Sequence, residues 1–139
     1  MEPVSIIIKN QFSELERLAA ETEPVLEAAG LPFAAIQGVN VAVEEIVTNV
    51  IKYAHTDGAE HPIEIRLAAA DSAVTISVID DGREFDPLAE PEPDLNAPIE
   101  ERGIGGLGVH FVRKLMDAVE YRRDGGRNIF TMRKKVPAG

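Results

Sequence analysis

The sequence predicts an α+β fold: a two-layer α/β sandwich, with a mostly antiparallel mixed sheet of about five strands and three helices on one face. Three observations lead there. The runs "HPIEIRLAA" and "AVTISVID" alternate apolar and polar residues on either side of a short turn, which is the pattern of a hairpin with one wet face. Two long segments before them carry apolar residues at helical period. The whole chain then reads in the order β-α-α-β-β-loop-α-β-β. Tight turns between successive strands make antiparallel pairs, and the apolar faces of sheet and helices must cover each other.

Bulk properties bound the rest. At 139 residues, of which 45% are hydrophobic, the chain suits a single domain spanning 1–139. No apolar stretch is long enough to span a bilayer, so no membrane is expected. "MEPVSIIIKN" has no basic region ahead of its apolar run and does not read as a signal peptide. The absence of cysteine excludes disulfides and thiolate chemistry and suits a cytoplasmic location. An excess of 24 acidic over 14 basic residues gives a net charge of −10. Such a surface repels a phosphate backbone, so direct nucleic-acid binding is not expected.

The elements follow in order. Residues 4–9, "VSIIIK", read as a strand. Ser13 and Glu16 have the spacing of a capping box. The helix after them places Leu15, Leu18, Ala19, Thr22, Val25, Leu26 and Ala29 near helical spacing, with Pro24 expected to kink or interrupt it and Gly30 and Pro32 to stop it. A second helix covers roughly 33–55, with Ile36, Val39, Val43, Ile46, Val47 and Val50 as its apolar stripe. Strands 61–69 and 73–80 form the hairpin. Residues 84–102 carry four prolines and many acids; so long a loop in a compact domain reads as a lid or binding segment. "GIGGLG" leads into a third helix, "VHFVRKLMDA". "VEYRR" and "NIFTMRKK" close the chain as a hairpin around Asp124-Gly125-Gly126.

Three clusters stand out chemically. In "EEIVTN", Glu45 and Asn49 lie four apart and share one helical face. They read either as that helix's wet side or as a carboxylate and an amide able to polarise a hydroxyl and ligate Mg²⁺. Asn49 follows β-branched Val47 and Thr48, a stretch of low helix propensity. In "DDGREFDP", Asp80 ends a strand. It reads either as part of an Asp-Gly turn or as an acceptor for an exocyclic amine such as that of adenine, with Gly82 allowing close backbone approach. In "RGIGGLGVHF", the glycines precede a helix whose N-terminus favours phosphate. Gly103, Gly105 and Gly108 match G-x-G-x-x-G without the preceding strand of a dinucleotide fold, and there is no Walker Gly-Lys-Ser/Thr. His55 and His61 flank an exposed turn and read as solvated. His110 falls in the first turn of the third helix, as a packing residue or near phosphate. Three scattered histidines without cysteine argue against zinc, and no G-x-S-x-G supports hydrolase chemistry.

In this order and spacing, the three clusters resemble the boxes of the Bergerat-fold ATPases, the GHKL superfamily. "EEIVTNVIKYAH" is similar to the N box, "DDGREFDP" to the first glycine box and "GIGGLGVHFVRKLMD" to the second. The short chain and the forms of the last two boxes are similar to the anti-sigma-factor serine/threonine kinases of bacterial partner-switching systems. The resemblance implies Glu45 as general base on a seryl or threonyl hydroxyl, Asn49 as Mg²⁺ ligand and Asp80 as receiver of the adenine amine. The ATP-binding set it implies is Asn49, Lys52, Tyr53, Asp80, Gly82, Gly103, Ile104, Gly105, Gly106, Leu107, Gly108, Val109, His110 and Asn128. Its implied partners are an anti-anti-sigma (STAS-type) protein as substrate, a sigma factor held in turn, and a second copy in a homodimer. The chain departs from the pattern at Glu84, where the superfamily's first glycine box has a second glycine, and at Asn128, where several relatives carry threonine. A nucleotide-dependent interaction module without turnover, and a structural domain without nucleotide, remain the other readings.

Overall fold

The computed structural model describes residues 2–89 and 106–137. Residues 103–105 of the glycine segment lie outside the described residues. So does most of the expected lid over 86–101, of which only the start is seen, as a 3₁₀ turn at Pro87–Ala89.

The sheet has five strands: β1 (Val4–Lys9), β2 (Pro62–Ala70), β3 (Ala73–Asp80), β4 (Ala118–Asp124) and β5 (Arg127–Lys135). Their order is β1-β2-β3-β5-β4, and every pair is antiparallel. Ile6 and Ile8, then Ile63, Ile65 and Leu67, then Val74, Ile76 and Val78, and finally Phe130 and Met132 are all buried on one face. Side chains alternate along a strand, so residues two apart share a face. That face packs against α1 (Leu15–Ala28), α2 (Phe33–Tyr53) and α3 (Gly106–Leu115) in one core. The opposite face carries Ser5, Glu64, Arg66, Ser77, Thr131 and Arg133, with Ser5 Oγ donating to Glu64 Oε2 at 2.7 Å.

The two hairpin turns are backbone-driven. Asp71 and Ser72 between β2 and β3 both take positive φ, 53° and 60°, and so do Gly125 and Gly126 between β4 and β5, at 58° and 79°. Two consecutive left-handed residues match the twist of the strands they join. Glycine adopts that conformation freely, whereas Asp71 and Ser72 do so at a cost.

The helices differ from expectation at three points. No capping box forms at Ser13 and Glu16; a 3₁₀ turn at Phe12–Glu14 absorbs Ser13, and Glu14 becomes the cap residue without a side-chain cap bond. Instead, the Glu14 carboxylate accepts hydrogen bonds from the Lys9 backbone N–H and from Arg17 Nε, each at 3.0 Å. Pro24 does not interrupt α1, which runs to Ala28. Both Pro24 and Ala20 are exposed, so the Ala20 carbonyl that lacks an N–H partner sits on the solvent side, where water can satisfy it. The third difference is α3, which begins at Gly106 and ends at Leu115. Beyond it, Asp117 N–H donates to Arg133 O in the sheet at 2.9 Å, and Lys134 Nζ donates to Leu115 O at 2.9 Å. The stop after α1 is as read: Gly30 has φ 101°, its N–H donates to Glu27 O, and Leu31 N–H donates to Leu26 O. These two bonds and the buried Leu31 and Leu26 make a Schellman motif. No helix among the described residues is long and apolar enough to cross a membrane.

The corner at Glu14 titrates. Hydrogen bonds from Arg17 and from the Lys9 backbone hold its carboxyl at about 2, against an ordinary 4.5. A carboxyl depressed in the folded state contributes stability above the unfolded value and loses it as pH falls through the folded one. Glu14→Gln is therefore expected to melt below wild type at pH 7, with the gap closing as pH drops from 4.5 towards 2. Thermal melts across that range check this; a constant gap contradicts the ionic origin.

Candidate functional site

Strand register builds the site. Ile63, Asp80, Asn128 and Arg123 are cross-strand partners on β2, β3, β5 and β4, and they point to the helix-covered face. Three polar groups thus meet at one end of the sheet, where an isolated buried carboxylate would be costly. Asp80 and Asn128 are only 5% and 6% exposed. Asn128 Nδ2 donates to Asp80 Oδ1 at 3.0 Å and to Arg83 O at 2.7 Å. Asn128 Oδ1 accepts from Tyr121 Oη at 2.6 Å, Arg123 Nη1 at 3.1 Å and the Phe85 N–H at 3.3 Å. Two acceptors at one end and three donors at the other dictate the amide's orientation. Burial raises the Tyr121 hydroxyl above its ordinary value, so it stays a donor at neutral pH.

The carboxylate of Asp80 is divided. Oδ1 takes the Asn128 amide and the Gly82 N–H, the latter at 2.8 Å, while Oδ2 has no hydrogen-bond partner among the described residues. The cavity beside it is lined by Asp80, Asn49, Asn128, Tyr121, Phe85, Arg83 and Pro87 over an apolar floor of Ile46, Val50, Ala54, Val78 and Phe130. Asn49 is 5% exposed, and its Nδ2 has no partner among the described residues. An unpartnered buried amide costs about 1–3 kcal/mol. It answers the oddity of an asparagine in a β-branched helical stretch: the residue stands there uncompensated, with its amide in the cavity wall. The free space at the cavity's centre is narrow, about 20 Å³, or roughly one water, because Phe85, Pro87 and Tyr121 crowd it.

Two glycines allow close approaches beside the cavity. Gly82 is not in a left-handed conformation, so a turn does not require it. A Cβ there would lie 2.5 Å from both Cβ and O of Ala54. The close approach foreseen at Gly82 is therefore to the end of α2. There, Arg83 N–H donates to Ala54 O at 3.0 Å and Arg83 Nε to Tyr53 O at 2.7 Å, covering carbonyls that a helix end leaves open. A Cβ at Gly108, in the first turn of α3, would fall on the carboxylate of Glu45. Glu45 thus lies directly against the glycine end of α3, where helix N–H groups favour negative charge, and Gly38 lies opposite Leu115 further along.

The remaining sequence-derived candidates divide. Tyr53 lies near the cavity, its ring 6.2 Å from that of Phe85 and tilted 44° to it. Lys52 is exposed and does not line the cavity. Val109 is buried, and His110 is half-buried with its ring 6.3 Å from Phe111. Gly106 and Leu107 open α3, and Gly103, Ile104 and Gly105 lie outside the described residues. His55 and His61 are not solvated singly but stacked on each other. Sequence reasoning missed Arg83, Phe85, Tyr121 and Arg123. The available signal was the spacing of Tyr121 and Arg123, two apart and so on one face of a strand; the register that brings them to Asn128 was not readable.

Residues 8–134 match the sequence family described as the histidine kinase-like ATPase domain. The chain belongs to that family. Among relatives of this ATPase-domain chain, it is 29% identical over 127 residues to the serine-protein kinase RsbW of Halalkalibacterium halodurans, covering 88% of this chain and 76% of that one. It is 27% identical over 125 residues to the serine-protein kinase RsbW of Listeria monocytogenes, covering 87% and 78%. It is also 27% identical over 92 residues to the serine/threonine-protein kinase BtrW of Bordetella bronchiseptica, covering 66% and 65%. The fold resembles a solved structure of RsbU and RsbW domains from Mycobacterium tuberculosis, with a TM-score of 0.70 at 17% identity; the match takes in 98% of this chain and 33% of that one. A histidine kinase domain from Erythrobacter litoralis gives a TM-score of 0.58 at 18% identity, covering 89% and 60%. These two likenesses are of fold.

Docking of the Asp81–Arg83 bend onto α2 has a direct test. Gly82→Ala must displace backbone, not merely a flexible side chain, and is expected to lower stability by about 1–3 kcal/mol in urea unfolding. Wild-type stability in that variant contradicts the packing of Gly82 on Ala54.

Proposed function

We propose that this chain is an ATP-dependent protein serine/threonine kinase. It phosphorylates a small anti-anti-sigma protein and holds a sigma factor once that antagonist is phosphorylated, pairing with a second copy of itself as a homodimer. The observation that carries the reading is one cavity lined by both Asp80, whose Oδ2 has no hydrogen-bond partner among the described residues, and Asn49, whose buried Nδ2 has none there either, within a histidine kinase-like ATPase domain. The names of the relatives support the reaction type.

The donor set fits the nucleotide. Asp80 Oδ2 accepts from the adenine amine, while Oδ1 stays anchored. The Asn49 amide can rotate to offer either end, so its orphaned group serves as donor to a phosphate or as oxygen ligand to Mg²⁺, a hard ion that prefers oxygen. Mg²⁺, when bound, supplies charge neutralisation on the phosphates, the main demand of phosphoryl transfer. Glu45 accepts the proton of the attacking hydroxyl; Gly108 leaves room for its carboxylate. The helix N-terminus and the glycines 103, 105, 106 and 108 offer backbone N–H groups to phosphate. Phe85 and Tyr121 move aside to admit the base. A second reading, an ATP-dependent interaction module without turnover, draws on one observation: Glu45 lies against Gly108 and is not among the residues lining the cavity.

Three measurements test this. Asp80→Asn keeps an oxygen for Gly82 and Asn128 but turns an N–H donor towards the adenine amine. Its fold is expected to survive and its ATP affinity to fall at least tenfold by calorimetry; unchanged affinity removes the adenine role. Glu45→Ala is expected to reduce transfer of labelled phosphate to an anti-anti-sigma protein by a hundredfold or more, with ATP binding retained. Wild-type ATP binding without any transfer selects the module reading. The chain has two tyrosines and no tryptophan; Tyr121 lines the cavity, and the Tyr53 ring lies 6.2 Å from that of Phe85, which also lines it. Tyrosine emission, corrected for nucleotide absorbance, is therefore expected to change on ATP binding; an unaltered spectrum at saturation places the nucleotide elsewhere.

A further inference from the structure

Away from the cavity, His55, His61 and Asp81 come together from three segments: the residues just after α2, the residue before β2 and the residue after β3. One ring nitrogen of each histidine and one carboxylate oxygen of Asp81 lie within 4.8 Å of one another. The two rings are stacked, with centroids 3.4 Å apart and planes 7° from parallel. His55 Nε2 is 3.0 Å from Asp81 Oδ1, and His61 Nε2 is 2.8 Å from Asp57 Oδ2. We propose that His55, His61 and Asp81 form a binding site for one borderline divalent transition-metal ion such as Zn²⁺ or Co²⁺.

Two imidazoles and a carboxylate make a nitrogen–nitrogen–oxygen set suited to zinc-like metals, not to Mg²⁺ or Ca²⁺. Metal–ligand distances of about 2.0–2.2 Å are reached once the rings turn out of the stack so that their in-plane lone pairs converge on the ion. Asp57 is a positioning residue. Its carboxylate is held by the Ala59 N–H at 3.0 Å and sits on one nitrogen of His61, which is how a ligating histidine is commonly oriented, leaving the other nitrogen for the ion. His61 is itself braced: its N–H donates to Asn10 Oδ1 at 2.9 Å, and its carbonyl accepts from Asn10 N–H at 3.0 Å. The side chains of His55 and His61 are 15% and 22% exposed and that of Asp81 is 52%, so the site is sheltered on its nitrogen side and open to solvent on the other. The chain's net charge of −10 adds to the attraction for a cation. Asp81 follows Asp80 directly, so an ion here pins the strand end whose carboxylate faces the cavity.

The test uses the full, metal-free chain without nucleotide, so its outcome is independent of the kinase reading. Co²⁺ is titrated while visible absorption is followed, and Zn²⁺ is titrated by calorimetry. One equivalent of Co²⁺ is expected to produce ligand-field bands that Zn²⁺ abolishes and excess Mg²⁺ does not. His55→Gln and His61→Gln, checked as folded by circular dichroism, are each expected to weaken Co²⁺ binding at least tenfold. Zn²⁺ is expected to raise the melting midpoint of wild type but not of His61→Gln. Absence of bands and heat at millimolar metal overturns the proposal, as does loss of the bands in Mg²⁺ or wild-type affinity in both histidine variants.

Discussion

A carboxylate at the end of a central strand, almost shut off from water, must be held by donors or be expelled. In this chain, Asn128 holds it. By spending both of its N–H donors on Asp80 and on the Arg83 carbonyl, and by collecting three donors on its oxygen, Asn128 joins β3, β5, β4 and the bend after β3. Arg123 reinforces the same corner by donating to the Gly82 carbonyl at 2.7 Å. Such networks are rigid because each bond orients the next, and costly when one member is lost. The division of Asp80 into an anchored oxygen and a free one follows from this arrangement, and so does the position of every polar group on that side of the cavity.

The surroundings of the cavity depend on missing atoms. At Gly82 and Gly108, the absence of a Cβ lets one backbone approach α2 and lets the Glu45 side chain approach α3. The two contacts differ in kind. Ala54 presents backbone that cannot yield, so Gly82 is bound up with the fold. Glu45 presents the end of a flexible side chain, so Gly108 governs where a carboxylate rests more than whether the protein folds.

Where the physics is local, the sequence could be read directly. The stripe on α2, the alternation in β2 and β3, and the glycine turn at 125–126 all emerged with near-correct bounds because period and turn chemistry are carried by adjacent residues. The end of α1 was legible for the same reason. Errors came where a local rule met a competitor: Ser13 fitted a capping box, but the 3₁₀ turn shifted the cap to Glu14, and Pro24 lay on the solvent face, where its missing bond is tolerable. At the site, Asp80 and Asn49 could be singled out by their odd placement and their order along the chain. The centrality of Asn128 could not, nor could the contribution of Tyr121 and Arg123, since these depend on the register of β3, β5 and β4. The stacking of His55 on His61 likewise depends on how the loop between them folds back, which five intervening residues do not encode by spacing.

The strand order has a dynamic consequence. Among the described residues β4 is an edge strand, bonded to β5 alone, yet it carries Tyr121 in the cavity wall and Arg123 on the Asn128 amide. Edge segments open at lower free energy than the body of a sheet. Fraying of 118–124 would therefore strip two donors from that amide and unroof one side of the hollow while β2 and β3 stay intact. The site is thus coupled to the least protected strand on its side of the molecule, and backbone amide exchange along β4 is a gauge of how often the hollow breathes.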